Sequence, residues 1–169
     1  VGRLEYMKNH TFLIDIIYQL NQLNKYNFQL KIVGSGMLED ALKSKVKTLE
    51  LDNVIDFLGA RDDVPALLND CDCLLLPSLW EAFPIVLLEA AACNIPVITT
   101  SVGSIPTLVD QNNGYIVELD KFKDAMIEVL ENYAEAKSKS LNLLNKVKSN
   151  YQIKNIVKQY ESIYQKILQ

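Results

Sequence analysis

Residues 71–100 read CDCLLLPSLWEAFPIVLLEAAACNIPVITT, and this stretch decides the fold of the chain. Its beginning, residues 71–76, is a nearly continuous apolar run, which is typical of a strand buried on both faces. A helix is expected over residues 85–93, with Pro84 at or near its first position. Residues 96–99 form a second short strand. Strand, helix and strand at this spacing predict a unit whose two strands are parallel.

The same alternation continues on both sides of this stretch. Apolar positions recur at helical spacing from Asn9 onward, and residues 28–33 (FQLKIV) alternate as a strand does. Further strands are predicted at residues 54–58 and 114–117, and further helices at residues 38–49, 64–69, 105–109, 121–132, 134–149 and 152–168. An α/β fold follows, in which a Rossmann-like parallel sheet carries helices on both faces. Ligands of such sheets bind outside the carboxyl ends of the strands.

Composition excludes several classes of function. The chain has 169 residues and a formal net charge of -4, which suits one domain and argues against a nucleic-acid partner, since phosphates need a basic face. No apolar run is long enough to span a bilayer. The three cysteines, Cys71, Cys73 and Cys93, have a single histidine far away in sequence, His10. We therefore expect reduced thiols in an intracellular protein and no metal site.

Two carboxylates flank the predicted start of the central helix. Glu81 lies in the loop before the helix, and Glu89 lies about one and a half turns into it. Both can face one cleft, with the free amides of Phe83, Ile85 and Val86 between them. Carboxylates accept hydrogen bonds from sugar or ribose hydroxyls, and the amides suit phosphate oxygens. The competing interpretation is a capping Glu81 and a solvated Glu89, although a carboxylate on so apolar a helix is costly without a partner.

A glycine loop and two cations form a second group of candidates. Gly34-Ser35-Gly36 joins a strand to a helix, where glycines let the backbone approach an anion. The same pattern also suits a tight turn with no ligand. Arg3 and Lys8 bracket a loop that leads into a helix start, and together they make a diphosphate clamp. The alternative is that both are solvated surface charges.

A third loop, residues 59–65 (GARDDVP), follows the strand at residues 54–58. It contains Arg61 and is placed to present backbone groups to a nucleotide base. It also fits a plain turn in which Asp63 caps the next helix.

These stretches together resemble the C-terminal domain of the family-4 (group 1) retaining glycosyltransferases of the GT-B fold. Five matching segments occur in the family's order over residues 1–118: VGRLEYMKNHTFLI, LKIVGSGMLEDAL, VIDFLGARDDVP, LLLPSLWEAFPIVLLEAAACNIPVITTSVGSIPTLV and NNGYIVE. The segment EAFPIVLLE looks like the family's motif of two glutamates separated by seven residues. The resemblance implies transfer of a sugar from a nucleotide donor to an acceptor hydroxyl, with retention at the anomeric carbon and without a catalytic metal.

The resemblance also implies roles for individual residues. Arg3 and Lys8 match the pair that grips the donor diphosphate, Glu81 matches the glutamate beside the donor sugar, and Glu89 matches the one that binds ribose hydroxyls. The implied catalytic residues are Arg3, Lys8 and Glu81. The implied donor-binding residues are Gly34, Ser35, Arg61, Phe83, Pro84, Ile85, Val86 and Glu89. No metal ligand and no cofactor are implied.

Two positions differ from the family pattern. Ala82 stands where the family usually has glycine, and Asn94 stands where it often has glycine. The methyl group of Ala82 narrows the donor pocket if the backbone there needs a positive φ. Asn94 tolerates such angles better than most residues. Neither change removes a charged group.

The resemblance implies one half of a two-domain enzyme. We therefore expect residues 1–169 to form a single nucleotide-sugar-binding domain, with core motifs at 1–118 and helices at 119–169, and we expect the N-terminal acceptor domain to be missing from this sequence. We expect nucleotide binding, a UDP-sugar in preference to a GDP-sugar, and little transfer by this domain alone. The expected location is the cytoplasm, up to the inner face of the cell membrane. Membrane association is expected only through the missing half or a lipid-linked acceptor.

Three other functions fit parts of the pattern. A nucleotide-sugar epimerase of the same fold binds the same donor and transfers nothing. A degenerate nucleotide-binding module has the same fold but no catalytic activity. This alternative stays open because Ala82 replaces the usual glycine at the donor pocket. A nicotinamide-binding domain ranks last, because the glycine loop lacks the GxGxxG spacing and the acidic residue that follows it.

Overall fold

The computed structural model describes residues 1–168, in which short strands alternate with helices. The strands are β1 (Leu30–Ile32), β2 (Ile55–Phe57), β3 (Leu74–Leu76), β4 (Val97–Thr100) and β5 (Tyr115–Val117). The helices are α1 (His10–Gln22), α2 (Glu39–Thr48), α3 (Val64–Asn69), α4 (Ile85–Ala92), α5 (Ile105–Leu108), α6 (Phe122–Glu131), α7 (Tyr133–Asn150) and α8 (Ile153–Ile167). Gln169, the last residue of the predicted domain, lies outside the described residues.

All the strand pairs in the sheet are parallel. β1 pairs with β2, with Leu30 opposite Ile55, and the order β3-β4-β5 forms a second group in which Leu74 lies opposite Val97. Each strand is reached through a helix, because parallel neighbours need a crossover connection. The predicted Rossmann-like sheet with helices on both faces is confirmed. β1, β2, β3 and β5 are shorter than predicted, since apolar patterning continues beyond the paired residues, and β4 has the predicted length but lies one residue later than residues 96–99.

Two apolar clusters cover the two faces of the sheet. The first cluster contains the buried sides of α1, α2 and α6, and the second contains those of α3, α4, α5 and α7. Successive residues of β3 face opposite clusters, with Leu74 and Leu76 in the second and Leu75 against the first. This confirms a strand buried on both faces, as its apolar run predicts.

The closing helices differ in how they are packed. α7 lies against α4 and buries Leu143 completely, and Lys137 in the same helix donates to the carbonyl oxygen of Asn94 at 2.6 Å. α8 buries none of its residues. Its exposed apolar side chains include Ile153, Val157, Tyr160, Ile163, Tyr164 and Ile167. None of the helices in residues 1–168 is both long and apolar enough to cross a membrane.

Candidate functional site

Three loops meet at the carboxyl ends of the strands. They comprise residues 2–9, which lead into α1, residues 77–84 between β3 and α4, and residues 101–104 after β4. The amide of Leu79 donates to the carbonyl oxygen of Met7 at 2.8 Å, which joins the first loop to the second. This is the edge at which parallel sheets bind ligands.

Lys8 and Glu81 form an ion pair in the centre of this junction. Nζ of Lys8 lies 2.6 Å from Oε1 of Glu81, and the hydroxyl of Ser78 donates to the same oxygen at 2.6 Å. The side chain of Glu81 is 7% exposed and that of Lys8 is 22% exposed. Thr100 donates its hydroxyl to the carbonyl oxygen of Ser78 at 2.6 Å, so β4 supports the loop that carries Glu81. The charge of a buried carboxylate is stabilised here by one cation and one hydroxyl.

Gly103 allows the third loop to lie directly against the second. Its φ is +56°, and a Cβ built there would lie 1.7 Å from the carbonyl oxygen of Glu81. Ser104 donates its amide to the carbonyl oxygen of Ala82 at 3.3 Å and also donates its hydroxyl to that oxygen. The backbone on both sides of the Glu81 side chain is therefore held by residues after β4.

Arg3 is placed differently from Lys8. Its side chain is 73% exposed and pairs with Glu5 at 3.0 Å. The Lys8 side chain lies over Gly2, where an added Cβ would meet Cε of Lys8 at 3.2 Å. The two cations of the predicted clamp thus stand on the same loop, with Lys8 anchored and Arg3 in a solvent-exposed pair.

The glycine loop is explained by packing of the backbone. A Cβ at Gly34, whose φ is +130°, would lie 1.9 Å from the carbonyl oxygen of Gly2. At Gly36, a Cβ would lie 2.6 Å from the backbone nitrogen of Leu4. The two glycines therefore let residues 2–4 pass closely, which favours the tight-turn interpretation of their spacing. Binding of a ligand by Gly34 and Ser35 stays a prediction.

A small pocket of about 250 Å³ brings four of the predicted residues together. Its lining includes Arg3, Gly34, Ser35 and Arg61. Arg61 donates to both carboxylate oxygens of Asp63, at 2.8 and 2.6 Å. These hydrogen bonds raise the pKa of Arg61 and lower the pKa of Asp63. Asp63 precedes α3, but its side chain makes no capping bond, because the carboxylate is taken by Arg61.

The start of α4 presents the remaining predicted residues. Pro84 is the N-cap residue and is buried, and the helix begins at Ile85. Phe83 and Ile85 are exposed, whereas Val86 is buried. Glu89 is half-buried, and within residues 1–168 its carboxylate has no ion-pair or hydrogen-bond partner. The first amides of the helix have no acceptor within it, so this end of α4 can accept an anion.

The backbone φ angles at Ala82 and Asn94, the two positions that differ from the family pattern, show whether each residue is strained. Ala82 is not among the described residues with positive φ, so its methyl group adds no strain there. Asn94 has a φ of 54°, in the left-handed region that asparagine tolerates. The side-chain oxygen of Asn94 also accepts a hydrogen bond from Ser140 at 2.9 Å.

The structure thus brings the predicted residues together in three groups. Lys8 contacts Glu81 directly, and residues 83–89 lie at the start of α4. The third group lines one pocket and comprises Arg3, Gly34, Ser35 and Arg61. The structure also adds Ser78, Thr100 and Gly103, which the sequence analysis missed. Only for Ser78 does the sequence offer a local signal, because a serine three residues before Glu81 is close enough to donate a hydrogen bond to its carboxylate. Within the part of the chain that the structure describes, no three His, Cys, Asp or Glu side chains are grouped to hold a metal ion.

Comparison with known proteins identifies related chains. The model of the family "Glycosyl transferases group 1" matches residues 1–155. N-acetyl-alpha-D-glucosaminyl L-malate synthase of Bacillus anthracis is 34% identical over 144 residues, covering 83% of this chain and 38% of that protein. An Escherichia coli enzyme, UDP-Gal:alpha-D-GlcNAc-diphosphoundecaprenol alpha-1,3-galactosyltransferase, is 32% identical over 169 residues, covering 96% of this chain and 43% of that protein.

Solved structures agree on the fold. The C-terminal domain of a group 1 family glycosyl transferase from Francisella tularensis has a TM-score of 0.80 and 26% identity, covering 90% of this chain and 84% of that domain. HepE of Anabaena in complex with UDP-glucose has a TM-score of 0.88 and 23% identity, covering 98% of this chain and 47% of HepE. The chain spans about two fifths of the two curated relatives, at 38% and 43% of their lengths.

Proposed function

This chain belongs to the group 1 glycosyltransferases, and we propose that it is the half of such an enzyme that binds the nucleotide-sugar donor. The observation that carries the proposal is the Lys8–Glu81 ion pair of 2.6 Å, which lies in the loops at the carboxyl ends of the strands. Loss of a nucleotide from a sugar leaves negative charge on a diphosphate. Cations and helix amides that already face that position stabilise the charge without reorganising.

Lys8 and Arg3 can both donate hydrogen bonds to a phosphate group in addition to, or in place of, their present contacts. The ammonium group of Lys8 has three hydrogen-bond donors, and a bond to Glu81 uses one of them. The Arg3–Glu5 pair is exposed, and such pairs contribute only about 0–1 kcal/mol. Arg3 can therefore exchange Glu5 for a phosphate at small cost. We assign Lys8 and Arg3 to the diphosphate, and the amides of Ile85 and Val86 to its oxygens.

The carboxylates are assigned to hydroxyl groups. Glu89 is half-buried on α4, and its oxygens suit the two ribose hydroxyls. Oε1 of Glu81 is occupied by Lys8 and Ser78, which leaves Oε2 for the donor sugar. Gly34, Ser35 and Arg61 line the small pocket, which we assign to the base. Phe83 and Pro84 shape the approach to the sugar.

We propose a UDP-sugar as the donor. The E. coli relative is named for UDP-Gal, and HepE was solved with UDP-glucose. The complete protein would then be a retaining hexosyltransferase of glycan or polysaccharide biosynthesis, needing no metal. A second, N-terminal domain would supply the acceptor site. We place the complete protein in the cytoplasm, up to the inner face of the cell membrane. This location suits a lipid-linked acceptor, such as the diphosphoundecaprenol-linked sugar for which the E. coli relative is named.

The test is calorimetric titration of the chain with UDP, GDP and ADP. We expect saturable binding of UDP and weaker binding of the other two. Glu89→Gln removes a charged acceptor for ribose hydroxyls, so affinity should fall roughly 10- to 100-fold, the equivalent of about 1.5–3 kcal/mol. Glu161→Gln, on the exposed helix α8, is the matched control and should bind UDP as the unchanged chain does.

The complete protein provides the second arm of this test. UDP-sugar turnover with transfer to an acceptor hydroxyl supports a transferase, whereas an epimerised sugar with no transfer supports the epimerase alternative. If neither the chain nor the complete protein binds any of the three nucleotides, the donor-binding proposal is wrong.

A further inference from the structure

Phe83 is the joint between two fixed parts of the candidate site. On one side, Glu81 is held by its ion pair, and the carbonyl oxygen of Ala82 accepts the amide of Ser104 at 3.3 Å. On the other side, Pro84 is buried at the start of α4. Among the described residues, neither the amide nor the carbonyl oxygen of Phe83 has a hydrogen-bond partner. Backbone hydrogen bonds therefore do not fix the joint itself.

The freedom at this joint is rotation about the φ angle of Phe83. A residue before proline adopts extended angles, with φ about −120° and a spread of about 40° on either side. Rotation through that range changes the direction of the peptide group after Ala82 relative to α4. A side chain that is held in place removes this freedom, because Cβ turns with φ. The contacts of the Phe83 ring therefore decide the geometry of the loop.

Tyr151 holds the Phe83 ring. The ring centroids are 6.0 Å apart and the ring planes are inclined by 30°, which lies in the range of about 4.5–7 Å at which aromatic rings attract each other. Phe83 is 38% exposed, whereas Tyr151 is partly buried against the second apolar cluster. The ring in the loop thus packs on a ring that belongs to the core.

Tyr151 is itself fixed, because it ends the well-anchored helix α7. Its amide donates to the carbonyl oxygen of Val147 at 2.9 Å, and Leu143 in the same helix is completely buried. Nζ of Lys146 lies 3.3 Å from a carboxylate oxygen of Asp110, in the loop before β5. These contacts hold the end of α7 against the domain, so Tyr151 gives the loop a stationary partner.

The two sides of the joint carry different parts of the proposed donor site. Lys8 and Glu81 lie on one side, and the amides of Ile85 and Val86 lie on the other. A diphosphate that is bound both by Lys8 and by these amides spans the joint. Displacement by about 1 Å within a site can lower the rate of a reaction about 100-fold. The angle at Phe83 is therefore important for binding and for transfer.

We propose that Tyr151 is a positioning residue of the donor site. Its ring fixes the Phe83 ring and, through it, the angle between the loop of Glu81 and the start of α4. The site is thereby ordered before the donor arrives, so binding does not have to order the loop. The inference rests on the proposed donor-binding function. It assigns a role to the end of α7, which lies outside the three loops of the site.

The first measurement needs no nucleotide. It compares the NMR order parameter of the Phe83 amide in the unchanged chain and in Tyr151→Leu, which keeps an apolar side chain and loses the ring. We expect a fall from about 0.85, typical of rigid backbone, toward about 0.6. Tyr151→Phe keeps the ring and should keep the higher value. Tyr164→Leu is the matched control, since it removes one ring of the exposed Tyr160–Tyr164 pair on α8 and should leave Phe83 unchanged.

The second measurement is calorimetric titration with UDP. Without the ring contact, binding has to order the loop, which corresponds to a roughly 3- to 10-fold weaker affinity for Tyr151→Leu. Tyr151→Phe and Tyr164→Leu should bind UDP within about twofold of the unchanged chain. Tyr151→Leu added to Phe83→Leu should cause no further loss, because the contact is already gone.

Three outcomes would overturn the proposal. The first is an equal order parameter in the unchanged chain and in Tyr151→Leu. The second is a lower order parameter with unchanged affinity for UDP, because the contact would then order the loop without serving the site. The third is the same loss of affinity from Tyr151→Leu in the presence and in the absence of the Phe83 ring, because Tyr151 would then act by another route.

Phe83→Leu keeps the proposal testable if Tyr151→Leu does not fold. It removes the same contact from the more exposed side, and it must lower both the order parameter of the amide at position 83 and the affinity for UDP. The proposal is wrong if it lowers neither. Failure of the proposed function has a different signature. Order parameters that behave as expected in a chain that does not bind UDP would contradict donor binding and support the role of Tyr151 in fixing the loop.

Discussion

Lys8 and Glu81 are 73 residues apart in the sequence, and Nζ of one lies 2.6 Å from Oε1 of the other. The contact joins the loop before α1 to the loop before α4. Its partners are unequal, because the carboxylate is almost fully buried and the ammonium group is partly exposed. Loss of one partner should therefore have a different effect from loss of the other.

We predict that Lys8→Met lowers the free energy of unfolding by about 3 kcal/mol, since an unpaired buried carboxylate remains. Glu81→Gln should cost less, because the freed ammonium group of Lys8 reaches water. Urea unfolding of both variants and of the double variant measures the coupling, which we expect to exceed about 1 kcal/mol. Lys25→Met is the matched control, since the exposed Lys25–Glu131 pair should contribute about 0–1 kcal/mol. Additive effects at Lys8 and Glu81 would contradict a structural ion pair.

Ser78 gives a second prediction. Its hydroxyl is the other donor to Oε1 of Glu81 and is completely buried. Ser78→Ala should lower the free energy of unfolding by about 1–3 kcal/mol, as expected for a lost hydrogen bond to a charged group. Ser149→Ala removes a hydroxyl that bonds Asn145 on an exposed helix turn, and it should change stability by less than about 0.5 kcal/mol. Equal effects of the two changes would show that Ser78 does not support Glu81.

The order of the elements could be predicted from the sequence because apolar periodicity is local. The apolar run at residues 71–76 predicts a strand that the structure confirms as β3, and the helix predicted at residues 64–69 has the bounds of α3. Strand ends were less well predicted, since pairing depends on neighbours distant in sequence. β1 covers Leu30–Ile32 although the alternating pattern extends over residues 28–33.

The candidate site was predictable as a set of residues and less so as an arrangement. Residue types and their place in loops that lead into helices pointed to Glu81 and Lys8, but their mutual contact depends on how the fold brings these two loops together. The glycines of residues 34–36 illustrate a second limit. Their spacing fits ligand binding and close packing equally, and only the approach of Gly2 and Leu4 favours packing.

Gly103 and Gly59 make a matched pair for a third prediction. Both have positive φ, +56° and +65°, but a Cβ at Gly59 meets nothing within 4 Å, whereas one at Gly103 lies 1.7 Å from the Glu81 carbonyl oxygen. Gly59→Ala should cost about 1 kcal/mol through backbone strain alone. Gly103→Ala adds a steric clash and should cost about 3 kcal/mol or more. Chemical denaturation measures both, and similar costs would mean that the loop after β4 moves freely away from Glu81.

A fourth prediction concerns pH. Burial, helped by the charges of the Val1 amino group and Lys8, lowers the pKa of His10 from 6.5 to about 4. The unfolded chain therefore binds a proton between these values that the folded chain does not. Stability from this group is complete above pH 6.5 and falls as the pH drops toward 4, by up to about 3 kcal/mol. Unfolding from pH 4 to 7 should give a shallower slope for His10→Gln than for the unchanged chain. Parallel curves would mean that His10 is accessible to protons in the folded state.

The last prediction concerns α8, the helix that buries none of its residues. Deleting the chain from Gln152 onward leaves the contact between Phe83 and Tyr151, whose ring centroids are 6.0 Å apart. Because little packing is lost, the unfolding temperature of the shortened chain should change by less than about 2 °C. Its solubility should rise, since an exposed apolar face has gone.

The matched control is deletion from Tyr133 onward, which also removes α7 and its buried Leu143. That protein should unfold or aggregate, since α7 covers α4 at the candidate site. If the apolar face of α8 instead packs against another part of the complete protein, deletion from Gln152 should lower the stability of that protein. A large loss of stability on removing α8 from the present chain would instead mean that the helix packs against this domain in solution.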